Sequence, residues 1–263
     1  MADKFAHAPA YDAYMGRWSA QIAPLFSDFA KVQDGGRILD VGCGTGALVQ
    51  HLAGLTRQSH IVGIDLSQPF IESCRSRFAD RRISFDVGSA LELPYPDAAF
   101  DGALSLLVIM LLPEPGRAAR EMRRVTRAGG TVAACTWASG EGGLEMNAVF
   151  WEEAIKIDSA AENRADRPRY CNRRGELTEV WNGAGLKAVE EVAFEIPTNF
   201  DSFDDFWLPL TGGIGTVGVY VAALSSGHRD TLRDALKHRL LGSASAGPIR
   251  LRATALAVRG VVP

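Results

Sequence analysis

The chain has 263 residues, 47% of them hydrophobic and 22% charged, an ordinary globular composition that excludes a disordered or fibrous chain. Lys and Arg number 28 against 31 Asp and Glu, a net charge of −3, which argues against a nucleic-acid partner. Cys43, Cys74, Cys135 and Cys171 form no CxxC pair, so they are expected as reduced thiols and no metal is expected. The first residues carry no apolar leader, and the longest apolar run, 102–112, falls well short of the ~20 residues of a spanning helix. The expectation is a cytoplasmic protein with no membrane span.

Short apolar runs then alternate with helical spacing. Residues 37–41 read as a strand and 47–55 as a helix, followed by a strand at 61–64 and a helix at 69–79. Strands at 83–87 and 100–107, a helix at 117–126 and a strand at 131–136 continue the pattern. Continuous apolar runs separated by helices predict βαβ units and a parallel, doubly wound α/β sheet. Beyond it, 145–157 reads as a helix, 161–174 as a charged loop, 177–181 as a helix, and 186–196 as a strand closed by Pro197. Three helices (201–208, 214–224, 229–241) and a last strand at 249–262 complete the chain. With no repeat and no clear linker, residues 1–263 read as one domain.

The informative stretch is Ile38-Leu39-Asp40-Val41-Gly42-Cys43-Gly44-Thr45-Gly46. Glycines at 42, 44 and 46, between a strand and a helix, allow a tight turn and close approach of a ligand to the backbone. Nicotinamide and flavin enzymes use a similar device. Here, however, the third glycine follows the second by two residues rather than three. Asp40 ends the first strand, where a carboxylate reaches a cationic amine, and Asp65 ends the second, where it can accept from a ribose diol.

These residues resemble the class I S-adenosylmethionine-dependent methyltransferases, in particular the ubiquinone and menaquinone biosynthesis branch. The resemblance spans roughly residues 10–136. Leu39 to Gly46 matches the family's first motif and Val62-Gly63-Ile64-Asp65-Leu66-Ser67 its second. Leu93 to Asp101 resembles the lead into its fourth strand, and Arg127-Ala128-Gly129-Gly130-Thr131 the turn into its fifth. The resemblance implies a Rossmann-like sheet of seven strands, the last antiparallel, with helices on both faces and a helical cover. It implies S-adenosylmethionine, or S-adenosylhomocysteine as bound product, in a core at 37–136.

Asp40 and the backbone around Gly42 and Cys43 would hold the methionine moiety, with Gly44 and Gly46 letting it lie against the loop. Asp65 would bind the ribose hydroxyls and Leu66 would pack on the adenine. The family's usual Asp-Ala is replaced by Ser89-Ala90, so the adenine amino group meets a neutral acceptor, worth ~1 kcal/mol against ~1.5–3 for a charged one. Leu106 and Leu107 would line the methionine site through backbone. Residues 11–18 resemble the family's N-terminal cover, in which Tyr14, Arg17 and Trp18 would close over the cofactor and Arg17 would pair with its carboxylate.

Many relatives carry a His pair where this chain has Met110-Leu111, so no catalytic base is assigned. His51 and His60 read as surface residues. An electrophilic sulfonium methyl needs chiefly an aligned nucleophile and exclusion of water. The expected acceptor is a small apolar or aromatic molecule, under a helical insertion at 198–247. Phe203, Phe206, Trp207, Tyr220, Phe150 and Trp151 are candidate walls. A monomer or homodimer is expected. Two other readings remain open: a non-catalytic module that binds S-adenosylmethionine, and a nicotinamide-dependent oxidoreductase.

Overall fold

Helix α1 (Ala8–Tyr11), a π-helical turn (Asp12–Gly16) and α2 (Arg17–Phe29) lead into β1 (Arg37–Val41) in the computed structural model, which describes residues 7–140, 143–165, 170–244 and 246–263. The chain then alternates through α3 (Ala47–Leu55), β2 (His60–Asp65), α4 (Gln68–Arg77), β3 (Ile83–Val87), β4 (Phe100–Leu106), α5 (Pro115–Val125) and β5 (Thr126–Trp137). Helices α6 (Glu145–Ile157), α7 (Glu162–Ala165) and α8 (Glu176–Gly183) precede β6 (Lys187–Phe200). Helices α9 (Phe203–Leu210), α10 (Gly215–Ala223) and α11 (Ser226–Leu241) separate β6 from β7 (Ile249–Val261).

The seven strands form one sheet in the order β3-β2-β1-β4-β5-β7-β6. Strands β1 to β5 pair in parallel, and β7 runs antiparallel to both β5 and β6. The sheet has the seven strands and antiparallel last strand that the sequence predicts. Its order reverses at β1, between β2 and β4, which places a crevice beyond the carboxyl ends of those strands. Each sheet face carries its own core. One gathers Ile22, Phe26, Leu48 and Leu52 from α2 and α3. The other gathers Ala118, Met122 and Trp181 from α5 and α8, where the Trp181 indole N–H donates to the Val132 carbonyl at 3.0 Å.

Some boundaries differ from the expected ones for identifiable reasons. Strand β6 continues through Pro197 to Phe200, because it lies at the sheet edge, where a missing N–H breaks no ladder. Helix α9 starts at Phe203, set by Ser202, whose hydroxyl accepts the Asp205 N–H at 3.1 Å. Helix α11 starts at Ser226 because Ser225 caps it by accepting from the His228 N–H. The charged stretch expected as loop holds α7, while its residues 166–169 lie outside those described.

The aromatics expected as pocket walls pack instead as core. Phe203, Phe206 and Trp207 are all buried, with Phe203 stacked on Trp207 and Phe206 edge-on to Phe200. Phe150, Trp151 and Tyr220 form a second aromatic group, with ring centroids 5.1 to 6.1 Å apart. This buried chemistry predicts that Trp207→Ala costs about 3–5 kcal/mol of stability. At about 2–4 °C per kcal/mol the melting temperature should fall by roughly 6–20 °C. An unchanged melting temperature would return Trp207 to the wall of a pocket.

Candidate functional site

The turn after β1 is built by three left-handed glycines, and the space each leaves differs. Gly42, Gly44 and Gly46 have φ of 75°, 53° and 86°. A Cβ at Gly42 would lie 2.6 Å from the Val108 side chain, and one at Gly46 2.9 Å from the Phe78 ring. Those two glycines serve packing against the chain itself. Only Gly44 would project a side chain into open space, with nothing within 4 Å. Of the three, Gly44 alone leaves the space beside its Cα open.

Asp65 fixes this loop from β2. One of its oxygens accepts the Gly44 N–H at 2.9 Å and the other accepts the Ser67 N–H at 2.8 Å. The Gly42 and Cys43 N–H groups both donate to the Ile64 carbonyl. The loop is thus tied to the end of the neighbouring strand before any ligand arrives.

Asp40 stands out beside it. Its carboxyl is 1% exposed, and neither oxygen has a hydrogen-bond partner. Burial, followed by the nearby Asp65, holds its pKa well above the ordinary carboxylate range. A cavity of about 20 Å³ reaches Asp40, lined by Tyr11, Ser19, Gly44 and Leu106 among others. Burial and the field of Asp65 push the Tyr11 hydroxyl up to about 12. The arrangement is an uncompensated acidic group in an enclosed crevice, suited to a cationic ligand.

The remaining sequence candidates surround this point at different ranges. Leu66 is 75% exposed just beyond β2. Ser89 has its hydroxyl engaged by the Leu91 N–H at 3.1 Å, and Ala90 packs partly buried on the core beside it. Leu106 lines the cavity, and Leu107 adopts a left-handed φ of 62° while its N–H donates to the Cys135 carbonyl. A branched residue held there marks stored strain at the end of β4. Cys43 lines the cavity with Gly42 and Gly44.

The cover departs from expectation. Tyr14 is buried, its hydroxyl donating to the Asn147 side chain at 2.9 Å. Arg17 is committed to Asp205 on α9, with both contacts at 3.1 Å, and its guanidinium lies over Trp18 and Phe200. In this structure it ties the cover to the insertion. Asp12 accepts from the Thr45 hydroxyl and pairs with Arg77 at 3.0 Å, while Arg77 also donates to the Thr45 carbonyl. Asp12, Thr45 and Arg77 were invisible in the sequence as a group, since they come from three elements. Tyr11 carries one readable signal, its place in the covering segment, and Ser19 follows directly on that segment. His51 is half-buried and shares a 2.8 Å hydrogen bond with Ser27, rather than being a free surface residue.

A larger cavity of about 270 Å³ opens at the amino ends of β1 and β4, lined by Lys31, Asp34, Asp101 and Arg127. Its carboxylates are already satisfied: Asp34 accepts several backbone N–H groups and Asp101 accepts from Arg37 and Arg127. The unpaired carboxyl and open glycine lie at the other end, where ligands of such sheets bind. Among the described residues no cluster of three His, Cys, Asp or Glu side chains forms a metal site, and no single helix is long and apolar enough to cross a membrane.

Residues 39–134 match the methyltransferase domain family. A demethylmenaquinone methyltransferase of Roseiflexus sp. (strain RS-1) is 34% identical over 134 residues, covering 48% of this chain and 55% of that protein. The ajmaline N-methyltransferase of Rauvolfia serpentina is 34% identical over 138 residues, covering 48% and 47%. The chain spans about half the length of these relatives. A phosphoethanolamine N-methyltransferase of Haemonchus contortus, solved with phosphomonomethylethanolamine and S-adenosylhomocysteine, superposes with a TM-score of 0.61 at 20% identity, covering 97% of this chain and 57% of that one.

The state of Asp40 carries a pH signature. In the unfolded chain it ionises near pH 4, whereas the folded chain holds the proton longer. Stability from this group is complete below about pH 4 and is lost as pH rises through the folded pKa. Asp40→Asn removes that titration, so its melting temperature relative to wild type should climb as pH rises above about 4. Parallel melting profiles would show a carboxyl that is already ionised and compensated.

Proposed function

We propose that this chain, which belongs to the class I S-adenosylmethionine-dependent methyltransferases, transfers the methyl group of S-adenosylmethionine to a small apolar or aromatic acceptor. The observation that carries the reading is Asp40, a buried carboxylate without a partner beside a glycine whose missing side chain leaves open space. Burial favours the neutral form of Asp40 in the free protein, and a cationic group beside it would favour the charged form instead.

The residues fit that cofactor group by group. The Asp40 carboxylate would hold its α-ammonium, and the Gly44 backbone would take the methionine chain at close range. Asp65, which anchors the loop through the Gly44 N–H, would accept from the ribose hydroxyls. Leu66, exposed beyond β2, would offer an apolar surface to the adenine, and Ser89 and Ala90 would border it. A cavity of about 20 Å³ holds one water-sized body, so the segment bearing Tyr11 must move outward for entry. Bound there, S-adenosylmethionine supplies an electrophilic sulfonium methyl.

The chain's own contribution is positioning and drying. Residues 104–112 at the end of β4 contain no titratable side chain, so the acceptor's nucleophilic atom meets an apolar wall of Leu106, Leu107 and Met110. Such a wall suits an apolar acceptor and excludes water from the line of attack. The covering segment and the 198–247 insertion close the site from above, joined by Arg17 and Asp205. N- and O-methyltransferases both occur among the similar proteins, in keeping with a site that aligns rather than deprotonates.

Calorimetry tests this directly. Wild type should bind S-adenosylmethionine and not NADH; the reverse preference would replace methyl transfer with a nicotinamide reading. Gly44→Ala should cost about 1–2 kcal/mol of stability, from its left-handed backbone, yet lower cofactor affinity far more than that strain explains. Asp65→Ala should lose on the order of 2–3 kcal/mol of affinity, roughly 30- to 150-fold. A loss under about threefold in either folded variant would remove the ligand from this loop.

A further inference from the structure

Two thiols meet directly beneath the glycine loop. Cys43 lies in the loop and Cys74 at the middle of α4, 6% and 0% exposed. Their sulfurs converge on one backbone oxygen, the Gly44 carbonyl, with Cys74 Sγ at 3.4 Å and Cys43 Sγ at 3.9 Å. Glycines make the room they occupy. A Cβ at Gly63 would lie 2.9 Å from Cys43 Sγ, and one at Gly46 would lie 3.3 Å from Cys74 Sγ.

The pair is chemically polarised. The contact with Cys43 and the Arg77 guanidinium one turn along α4 both lower the Cys74 thiol. The remaining cysteines differ. Burial raises Cys135 strongly and brings Cys171 up to about 11, so both favour the unreactive thiol. Cys43 lines the crevice that would take the cofactor, and Cys74 is buried behind it, so a peroxide reaches Cys74 only past Cys43 as the crevice opens.

The geometry points to Cys43 and Cys74 as a modification site, where a hydroperoxide joins the two sulfurs in a disulfide that clamps the glycine loop to α4 and weakens cofactor binding. This rests on the methyl-transfer reading above. In the first step the Cys74 thiolate attacks one peroxide oxygen, breaking the O–O bond. The departing oxygen takes up the thiol proton as water or an alcohol, leaving a sulfenic acid. In the second, the Cys43 sulfur displaces that hydroxyl, which leaves as water with the Cys43 proton. Two thiols lose two hydrogens and two electrons, and the hydroperoxide is reduced by the same amount. A covalent S–S bond is far shorter than a thiol hydrogen bond, so Cys43 must shift toward α4. That shift drags Gly44, whose N–H is held by Asp65, away from its ligand-ready position.

The test uses the whole chain in four measurements. Titration of the reduced protein with S-adenosylmethionine comes first; no binding there rejects the methyl-transfer reading and the regulation with it, whatever the thiols do. Hydrogen peroxide treatment should then remove two hydrogens by mass, with peptide mapping joining residues 43 and 74. Affinity should fall roughly tenfold or more and return on reduction. Saturating S-adenosylhomocysteine should slow the linkage, because it fills the access route. Peroxide should leave the affinity of Cys74→Ser unchanged, and should that variant fail to fold, reversal of the wild-type effect by reductant makes the same distinction. Absence of a 43–74 linkage, or a linkage with unaltered affinity, overturns the proposal.

Discussion

An unpaired carboxyl buried at the end of β1 is the constraint around which this molecule is arranged. Asp40 sits where the strand order reverses, on an interior strand of the sheet, with neither oxygen hydrogen-bonded. Its retention makes sense only if the fold can tolerate the cost. The tolerance comes from the two apolar cores on either side of the sheet, which are large enough to offset several kcal/mol of unfavourable electrostatics. Asp65 adds the complementary half, spending its carboxylate on the Gly44 and Ser67 N–H groups and so presetting the loop. Preorganised polarity of this kind removes reorganisation from the moment of binding.

The cover is held by buried Tyr14 and Trp18 and, at its surface, by two modest ion pairs. The Asp12–Arg77 and Arg17–Asp205 pairs are each about a third to two-fifths exposed, in a range where ion pairs contribute about 1 kcal/mol or less. They join the covering segment to the glycine loop on one side and to α9 on the other. A closed crevice secured by modest latches can shut out water while a ligand is bound and still allow exchange. The π-helical turn at Asp12–Gly16 lies between these latches, a form of helix irregularity that recurs at functional sites.

Much of this was legible in the sequence because it was local. The alternation of apolar runs with helical spacing marks the strands, and the positions of Asp40 and Asp65 at strand ends and of Gly44 in the turn between strand and helix are readable as local pattern. What stayed hidden depends on contacts between distant segments. Arg17 reads as a partner for a ligand carboxylate until Asp205, 188 residues away, is found beside it. Gly46 reads as a ligand contact until Phe78 is seen to fill the space above it. Pro197 reads as a strand end because its position at the sheet edge is a property of the topology. The aromatics of α9 fit a wall or a core equally well by composition, and only their burial separates the two.

The most direct test of Asp40 as the cation-holding group is the pH dependence of S-adenosylhomocysteine affinity. A carboxyl held neutral in the free protein must surrender its proton to pair with the ligand's ammonium. Binding should therefore tighten by up to about tenfold per pH unit as pH rises from about 4 toward neutral, and Asp40→Asn should lose that dependence. A wild-type affinity that is flat across this range, or an Asp40→Asn profile that keeps the same slope, would contradict it.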